Sequence, residues 1–467
     1  MRLALMFAAL SLGAAGAVSA AEQLDNTFRI TSSGPVSYTA IAWLPQPNGE
    51  SVEVYASPTQ SGVCGDTVCI GLQRWSANAV AIGNSRVKAA ALQSVNAATV
   101  DSRGRIIVIG NYQGAGADGV DFGVVRFNAD GSDDTSFAGD GGTVVNFGLG
   151  QGNNDYPLAV AVDRDDNVVV AGSVQRGSVG DTDFGVVRLR ASDGSLDTSF
   201  SGDGKATVFF DLGPNMRIDQ ANAVAVANDG RIVLGGIALD SAISRVRPVV
   251  AQLLPNGSPD TAFCPTGCTL NAGYNTVNSG RRVYYFGAND AHSDEIRGLD
   301  VAGNGDIVVA GYTFSVDAAT RRGAVARFGA NGAQQAERIE AGLLGGGGFE
   351  AVRFADGNGS RILAAGQSGA GPNVFEVQAF ASNLSLDTSY GNCLTSNSGF
   401  CFIGSSSGLA DDGPDNAASL FLDARGRPMF YGTFTLASTP NRGRLLIQRI
   451  TNTSGPLPDR IFRNGFQ

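Results

Sequence analysis

The stretch Asp183–Gly204, DFGVVRLRASDGSLDTSFSGDG, repeats almost word for word what stands 62 residues earlier at Asp121–Gly141, DFGVVRFNADGSDDTSFAGDG. Self-similarity at a long period means that one supersecondary unit is built several times, each copy burying its apolar face against the next. Three signatures recur in fixed order. A short alternating run comes first, as in Leu158-Ala-Val-Ala-Val162 and Ala223-Val-Ala-Val226. A tight turn, a β-branched run and a glycine follow, as in Asp229-Gly-Arg-Ile-Val-Leu-Gly-Gly236. The third is a run often ending in arginine and an apolar residue, as in Val186-Val-Arg-Leu189. Period-two patterns rich in valine and isoleucine and bounded by Gly, Asn and Asp read as strands joined by hairpins. Beyond the first twenty residues no stretch carries a helical period.

The second signature can be counted. Its turns centre on Gly49, Gly104, Asp166, Gly230, Gly305, Gly359 and Gly426, separated by 55, 62, 64, 75, 54 and 67 residues. A closing phrase appears as Asp134-Thr-Ser-Phe137, Asp197-Thr-Ser-Phe200, Asp260-Thr-Ala-Phe263 and Asp387-Thr-Ser-Tyr390. Seven copies of about four strands predict an all-β chain, a seven-bladed β-propeller of four-stranded antiparallel blades. An open β-solenoid fits less well, because its coils are about half this length. Leu24-Asp-Asn-Thr-Phe28 matches the closing phrase but precedes the first inner strand, whereas the seventh copy ends on a degraded one at Leu457 to Phe462. The N-terminal strand is therefore expected to close the last blade beside Leu445–Ile450, leaving no exposed edge. Pro456 and Pro458 obstruct a strand in the C-terminal alternative.

The phrases DFGVVRLRASDGSLDTSFSGDG, AVAVANDGRIVLGG and NGDIVVAG resemble the delta-60 repeat of exported bacterial proteins. That resemblance implies a β-propeller and no common enzymatic activity. It is strongest from Gly104 to Gly236 and recognisable around Gly305. The ending Asp459-Arg-Ile-Phe-Arg-Asn-Gly-Phe-Gln467 is similar to the short IF-x-DGFE tails of some exported Gram-negative proteins, with Asn464 and Gln467 in place of acidic residues.

Arg2, the apolar run Leu3–Ala15 and the small residues Val18-Ser19-Ala20 read as a secretory signal peptide, the apolar run being too short to span a bilayer. The expected organisation is thus a signal peptide at 1–20, a propeller at 21–455 and a C-terminal tail at 456–467. Export to the periplasm, the cell surface or the medium follows, with no membrane span. The 64 glycines exceed the usual share of about 7 %, and with 43 % hydrophobic residues they signal turns rather than disorder. A net charge of -10 argues against a nucleic-acid or anionic-membrane partner, since both need a basic footprint. The six cysteines form three local pairs, Cys64–Cys69, Cys264–Cys268 and Cys393–Cys401, which in an exported chain predict three short disulfides. A zinc site would have to gather ligands from distant pairs with a single histidine, His292.

Motifs with chemical associations fail in context. Gly114-Ala-Gly-Ala-Asp-Gly119 fits GxGxxG but leads into a strand, whereas a dinucleotide fingerprint must open a helix. Gly404-Ser-Ser-Ser-Gly408 fits a nucleophile elbow but lacks the helix and a histidine base. Asp163-Arg-Asp-Asp-Asn167 alternates oxygen ligands like a calcium loop, yet Val168 and Val174 fall where an EF-hand needs Gly and Glu. A hairpin turn explains it. The closing phrase is expected to fix a turn through its Asp and Ser/Thr side chains while its aromatic ring packs between blades. The recurring Arg74, Arg126, Arg188 and Arg327 are expected to pair with repeat aspartates.

No catalytic, cofactor-binding or metal-binding residue is therefore assigned, and no cofactor is expected. The sequence reads as a non-catalytic exported binding or scaffold module, a monomer that holds a protein or polysaccharide through loops on one face. The alternative is a propeller hydrolase or lyase with carboxylates and arginines at the channel mouth. A smooth channel of small residues would favour binding, and clustered Asp, Glu and Arg with His292 would favour the enzyme.

Overall fold

A computed structural model describes residues 24–31, 39–57, 64, 68–78, 80–89, 91–114, 119–149, 154–177, 180–212, 217–265, 280–287, 293–314, 321–340, 347–355, 359–367, 375–387, 400–403, 416–422, 428–435 and 443–450. These residues form strands and turns, with no helix among them. Strand β1 (Leu24–Thr31) comes first. The first group is β2 (Thr39–Pro45), β3 (Ser51–Ser57), β4 (Cys69–Trp75) and β5 (Ala81–Ala89). The second is β6 (Ala97–Val100), β7 (Ile106–Tyr112), β8 (Asp121–Phe127) and β9 (Gly142–Val145). The third is β10 (Asp155–Val162), β11 (Val168–Gln175), β12 (Asp181–Leu189) and β13 (Lys205–Val208). The fourth is β14 (Arg217–Val226), β15 (Ile232–Asp240), β16 (Arg245–Leu253) and β17 (Arg281–Val283). The fifth is β18 (Asp294–Val301), β19 (Ile307–Phe314), β20 (Arg321–Phe328) and β21 (Gln334–Ile339). The sixth is β22 (Gly348–Phe354), β23 (Arg361–Gln367), β24 (Phe375–Ala381) and β25 (Phe400–Ile403). The last strands are β26 (Asn416–Leu422), β27 (Pro428–Thr435) and β28 (Gly443–Ile450).

Each group is an antiparallel meander in chain order, and β26, β27 and β28 are completed by β1. β1 lies antiparallel to β28, with Arg29 opposite Gln448 and Thr31 opposite Leu446. The third and fourth groups share one eight-stranded sheet through a two-residue parallel contact of β12 with β14. No sheet closes on itself. The first strand of each group touches the first strand of the next, from β2 through β6, β10, β14, β18 and β22 to β26, and β26 touches β2.

The core lies between sheets. One cluster joins Ile107, Ile109 and Phe122 of the second group to Val160, Val168 and Val170 of the third, and similar clusters bridge the following pairs. The repeated closing phrase supplies the clamp. Phe137, Phe200 and Phe263 are fully buried, and each ring packs on a positive-φ glycine of the next group: Gly194, Gly257 and Gly332 respectively. The following residue donates its N–H across the same gap, Ala138 to Asp193 O at 2.8 Å, Ser201 to Asn256 O at 2.7 Å and Cys264 to Asn331 O at 2.8 Å. The recurring arginines serve the clamp. Arg126 and Arg188 each place Nε 2.7 Å from the phrase carboxylate, Asp134 and Asp197. Both reach into the next group, Arg126 Nη1 to Ala191 O at 2.7 Å and Arg188 Nη1 to Pro255 O at 2.6 Å. Arg327 instead meets the turn residue Asp306 at 2.7 Å, and Arg74 meets Glu50 rather than an aspartate.

A second aspartate series latches the other end of each gap. Asp155 and Asp294 open β10 and β18, Asp219 lies near the start of β14, and each accepts the N–H of a phenylalanine that follows the previous outer strand: Phe147 at 3.0 Å, Phe210 at 2.6 Å and Phe286 at 2.9 Å.

Candidate functional site

Six of the seven inner strands are bulged, and these bulges carry the site. A bulge places two residues opposite one and re-aims a side chain. In β2, β10, β14, β18, β22 and β26 the register slips by one residue, leaving Ile41, Leu158, Asn222, Arg297, Glu350 and Ala418 without a partner. The side chain of Ala418 lies outside the described residues. Asn96, just before β6, holds the corresponding place.

A glycine faces the bulge in β11, β15, β19, β23 and β27, whereas β3 has Tyr55 there. A Cβ on Gly172, Gly236, Gly311 or Gly366 would lie only 1.9–2.0 Å from the carbonyl oxygen of Tyr156, Gln220, Glu295 or Gly348, and one on Gly110 would lie 1.8 Å from Ser94 O. This is the glycine that ends the second repeat signature. Its position is required by close backbone approach, not by an unusual φ.

Five of the bulge residues, with Asn96, line one cavity of about 200 Å³ among the inner strands. Ile41, Asn96, Leu158, Asn222, Arg297 and Glu350 make up its rim, and the small residue that follows each in sequence lines it too: Ala42, Ala97, Ala159, Ala223, Gly298 or Ala351. The rim differs around the ring. Ile41 and Leu158 are apolar, whereas Asn222, Arg297 and Glu350 make a polar arc. Asn96 Nδ2 donates to Pro157 O at 2.6 Å and Asn222 Nδ2 to Ile296 O at 2.8 Å, so both amides also tie neighbouring groups together.

Behind the arc lies a charged cluster. Arg297 Nη2 is 3.0 Å from Glu295 Oε2 and donates to the Tyr312 hydroxyl at 3.2 Å. Arg321 stacks its guanidinium 3.6 Å from the Tyr312 ring centre. Burial pushes the Glu350 carboxyl up, against the pull of Arg297 and Arg321. Burial also raises the Tyr312 hydroxyl, as does its hydrogen bond to Glu295, so the phenol stays neutral near pH 7. Such an arrangement can present a guanidinium and a carboxyl side by side to a polar or carboxylate-bearing ligand. A larger cleft of about 310 Å³ lies at the other end of the inner strands, and its charges already serve the clamp, with Arg231 Nε 2.7 Å from Asp260 Oδ2.

The sequence-singled residues fall elsewhere. Cys64 and Cys69 form a disulfide. Cys264 is buried and also disulfide-bonded, while its expected partner Cys268 lies outside the described residues, as does Cys393. Cys401 sits in β25, its side chain outside the described set. His292, the interior of the 114–119 loop and the 404–408 loop are likewise outside it. Asp163 spends Oδ1 on the N–H groups of Asp165 and Asn167, both at 2.9 Å, and Asp166 accepts from Ser102; this segment is a hairpin turn. The polar arc was missed by the sequence reading, though the signature glycine marks it: the residue left unpaired in the facing strand is the rim residue.

Comparison with known proteins agrees with this architecture. Residues 104–137, 164–200, 227–263 and 302–334 match the family described as "Domain of unknown function (DUF5122) beta-propeller". The chain is thus an all-β protein of the β-propeller repeat class, built of four-stranded antiparallel sheets. No curated protein sequence matches it. Similar solved structures include a protein of unknown function from Dyadobacter fermentans, 10 % identical, TM-score 0.46, covering 92 % of this chain and 99 % of that one. The β-propeller domain of the Trilobed protease from Pyrococcus furiosus is 6 % identical, TM-score 0.44, covering 90 % and 100 %. The Hadza microbial sialidase Hz136 is 10 % identical, TM-score 0.41, covering 82 % and 74 %. Likeness at this level assigns no activity. No helix among the described residues is long and apolar enough to cross a membrane.

Proposed function

We propose that the chain is an exported, non-catalytic binding or scaffold protein, a closed seven-bladed propeller that holds a polar ligand at the rim of its channel. The unbroken circuit of inner-strand contacts from β2 to β26 and back, and the pairing of β1 with β28, support closure through the N-terminal strand. The Cys64–Cys69 disulfide supports export, with residues 1–20 as the leader and 456–467 as a tail. One observation carries the binding reading. The clamps and latches repeat from copy to copy, whereas the bulge positions differ and bring individual chemistry to one cavity. Binding sites are commonly built by variable positions on a rigid scaffold.

A charged oligosaccharide suits the arc, with Arg297 facing a carboxylate and Glu350 and Asn222 facing hydroxyls. The test is an array of neutral and uronic-acid oligosaccharides, with mass spectrometry of the released material. Retention of acidic members, lost in Arg297→Ala and without cleavage, is the expected result. No retention of any member would sink the oligosaccharide assignment. Cleavage abolished by Glu350→Gln would replace binding with the second reading, a channel-mouth hydrolase or lyase, which the raised Glu350 carboxyl beside Arg297 favours.

A further inference from the structure

The junction of the third and fourth groups differs from its neighbours. Strand register aligns the repeats, so Asp183 corresponds to Asp121 in the second group and Arg247 in the fourth. By the same registers Asp181 corresponds to Gly119 and Arg245, and Asp211 to Gly148 and Gly287. All three junctions keep the latch aspartate, here Asp219. Among these three, only this one adds carboxylates at all three other positions. The latch does not need all three, because Asp294 accepts its phenylalanine N–H with none of them and Asp155 with Asp121 alone.

One oxygen each from Asp181, Asp183 and Asp211 lies within 4.8 Å of the others. That spread fits ligands around a single calcium at roughly 2.4 Å. Two further oxygens point to a missing positive partner. Asp183 is fully buried, and its Oδ2 receives Arg176 Nη1 at 3.1 Å while Oδ1 accepts no hydrogen bond. Asp219, also fully buried, gives Oδ2 to Phe210 N and leaves Oδ1 without a donor. Its main-chain N–H donates to Thr182 Oγ1 at 3.2 Å, which fixes it beside Asp181 and Asp183. A buried acceptor without a donor is costly, and a buried charge more so.

Burial pushes Asp183 up to about 6, with Asp211 and Asp181 adding to the rise against Arg176. Burial pushes Asp219 up to about 7, with Asp183 and Asp211 adding to it. Three arginines face the group, which sets four carboxylates against three cations. Arg176 and Arg217 are about half exposed, the latter 3.8 Å from Asp211. Arg281 is engaged on Phe209, stacking 4.4 Å from its ring centre and donating to its carbonyl.

We propose that Asp181, Asp183 and Asp211, backed by the free oxygen of Asp219, bind one calcium-class divalent cation that ties the third group to the fourth. An all-oxygen anionic set selects calcium, magnesium or manganese over zinc or copper. Carboxylates brought from one strand, β12, and from the segment after β13, rather than from one rigid octahedral frame, favour calcium over magnesium. The ion would bridge β12, the segment after β13 and the start of β14, where the two sheets already share their parallel contact.

The test uses the full chain stripped with a chelator and dialysed against calcium or magnesium alone. Bound metal is counted by elemental analysis, and melting is followed across a metal titration. One calcium per chain and a saturable rise in melting temperature are expected. Asp181→Asn and Asp211→Asn, both at partly exposed positions, should bind calcium at least about tenfold more weakly and lose that rise. Each variant is checked for native melting without metal, so a folding defect is distinguishable from a lost ligand. No bound calcium at millimolar concentration, or calcium binding unchanged in both variants, overturns the proposal. A calcium effect abolished instead by Asp163→Asn would place the ion in the hairpin turn and overturn it too.

Discussion

Replacing Gly311 by alanine tests how the bulges place the rim. The added Cβ would stand 1.9 Å from Glu295 O and 3.2 Å from the Ile296 Cα. A carbon and a carbonyl oxygen need about 3.2 Å, so β18 must withdraw by roughly 1 Å or more at its bulge. That motion strains a well-packed strand pair, at about 1–3 kcal/mol. It also loosens the ladder bonds flanking the bulge, at about 1 kcal/mol each. Together these give a loss of roughly 3–5 kcal/mol. The contrast is Gly305→Ala in the neighbouring turn, where φ is +87° and the new Cβ would meet Ala330 Cβ at 2.9 Å. There the left-handed conformation costs about 1–2 kcal/mol and a small side chain can give way. Urea unfolding measures both, and amide exchange of residues 296–299 reports whether the bulge has opened. The decisive outcome is the ranking. If Gly311→Ala costs no more than Gly305→Ala, and exchange at 296–299 is unchanged, the bulge does not depend on the missing Cβ.

Two further outcomes follow from the clamp. Phe200→Ala should cost about 3–5 kcal/mol, and Gly257→Ala about 2–4 from positive φ and overpacking, since its Cβ would meet the Phe200 ring at 2.9 Å. The double variant should be less destabilised than the sum by about 1–3 kcal/mol, because removing the ring removes the clash; additivity within about 0.5 kcal/mol would contradict the contact. At Asp197, burial acts upward, but hydrogen bonds from Ser199 and the Arg188 charge outweigh it and hold the carboxyl below the usual range. Its folded value being depressed, its contribution is present above about pH 4 and is lost as pH falls through the folded value. The stability gap between wild type and Asp197→Asn should therefore narrow from pH 6 to pH 3, and a gap of constant size would show that the ionised form is not what matters.

The repeat made the strand order, the hairpin turns and the pairing of Leu24–Thr31 with the last strand legible, because each rests on local pattern and counting. The closing phrase was also readable as a turn, since Asp and Ser side chains act on their own backbone: Ser199 Oγ and N both contact Asp197. The latch aspartates were not noticed, although Asp155, Asp219 and Asp294 are spaced by the same 64 and 75 residues as the turns. Their partner is a backbone N–H in the preceding copy, which no side-chain pattern advertises. The rim was hidden for a different reason. A one-residue bulge shifts the alternation by a single step, so Arg297 and Glu350 read as ordinary outward positions in short strands.

This concealment has a consequence for how such a chain can acquire a ligand. A residue in the clamp faces two copies at once, and changing it breaks a seam between sheets. A rim residue lines the cavity, although Asn96 and Asn222 also bond the backbone of the neighbouring group, and in most groups the glycine that holds its bulge lies in the next strand. Isoleucine, asparagine, leucine, arginine and glutamate all occupy equivalent places here without altering the fold around them. The repeat thus separates the residues that hold the sheets together from those that line the cavity, and among the described side chains the second set is short: Ile41, Asn96, Leu158, Asn222, Arg297 and Glu350. Exchanging Arg297 for asparagine or leucine, the residues at equivalent positions, should therefore change ligand retention while leaving the melting temperature within a few degrees of wild type.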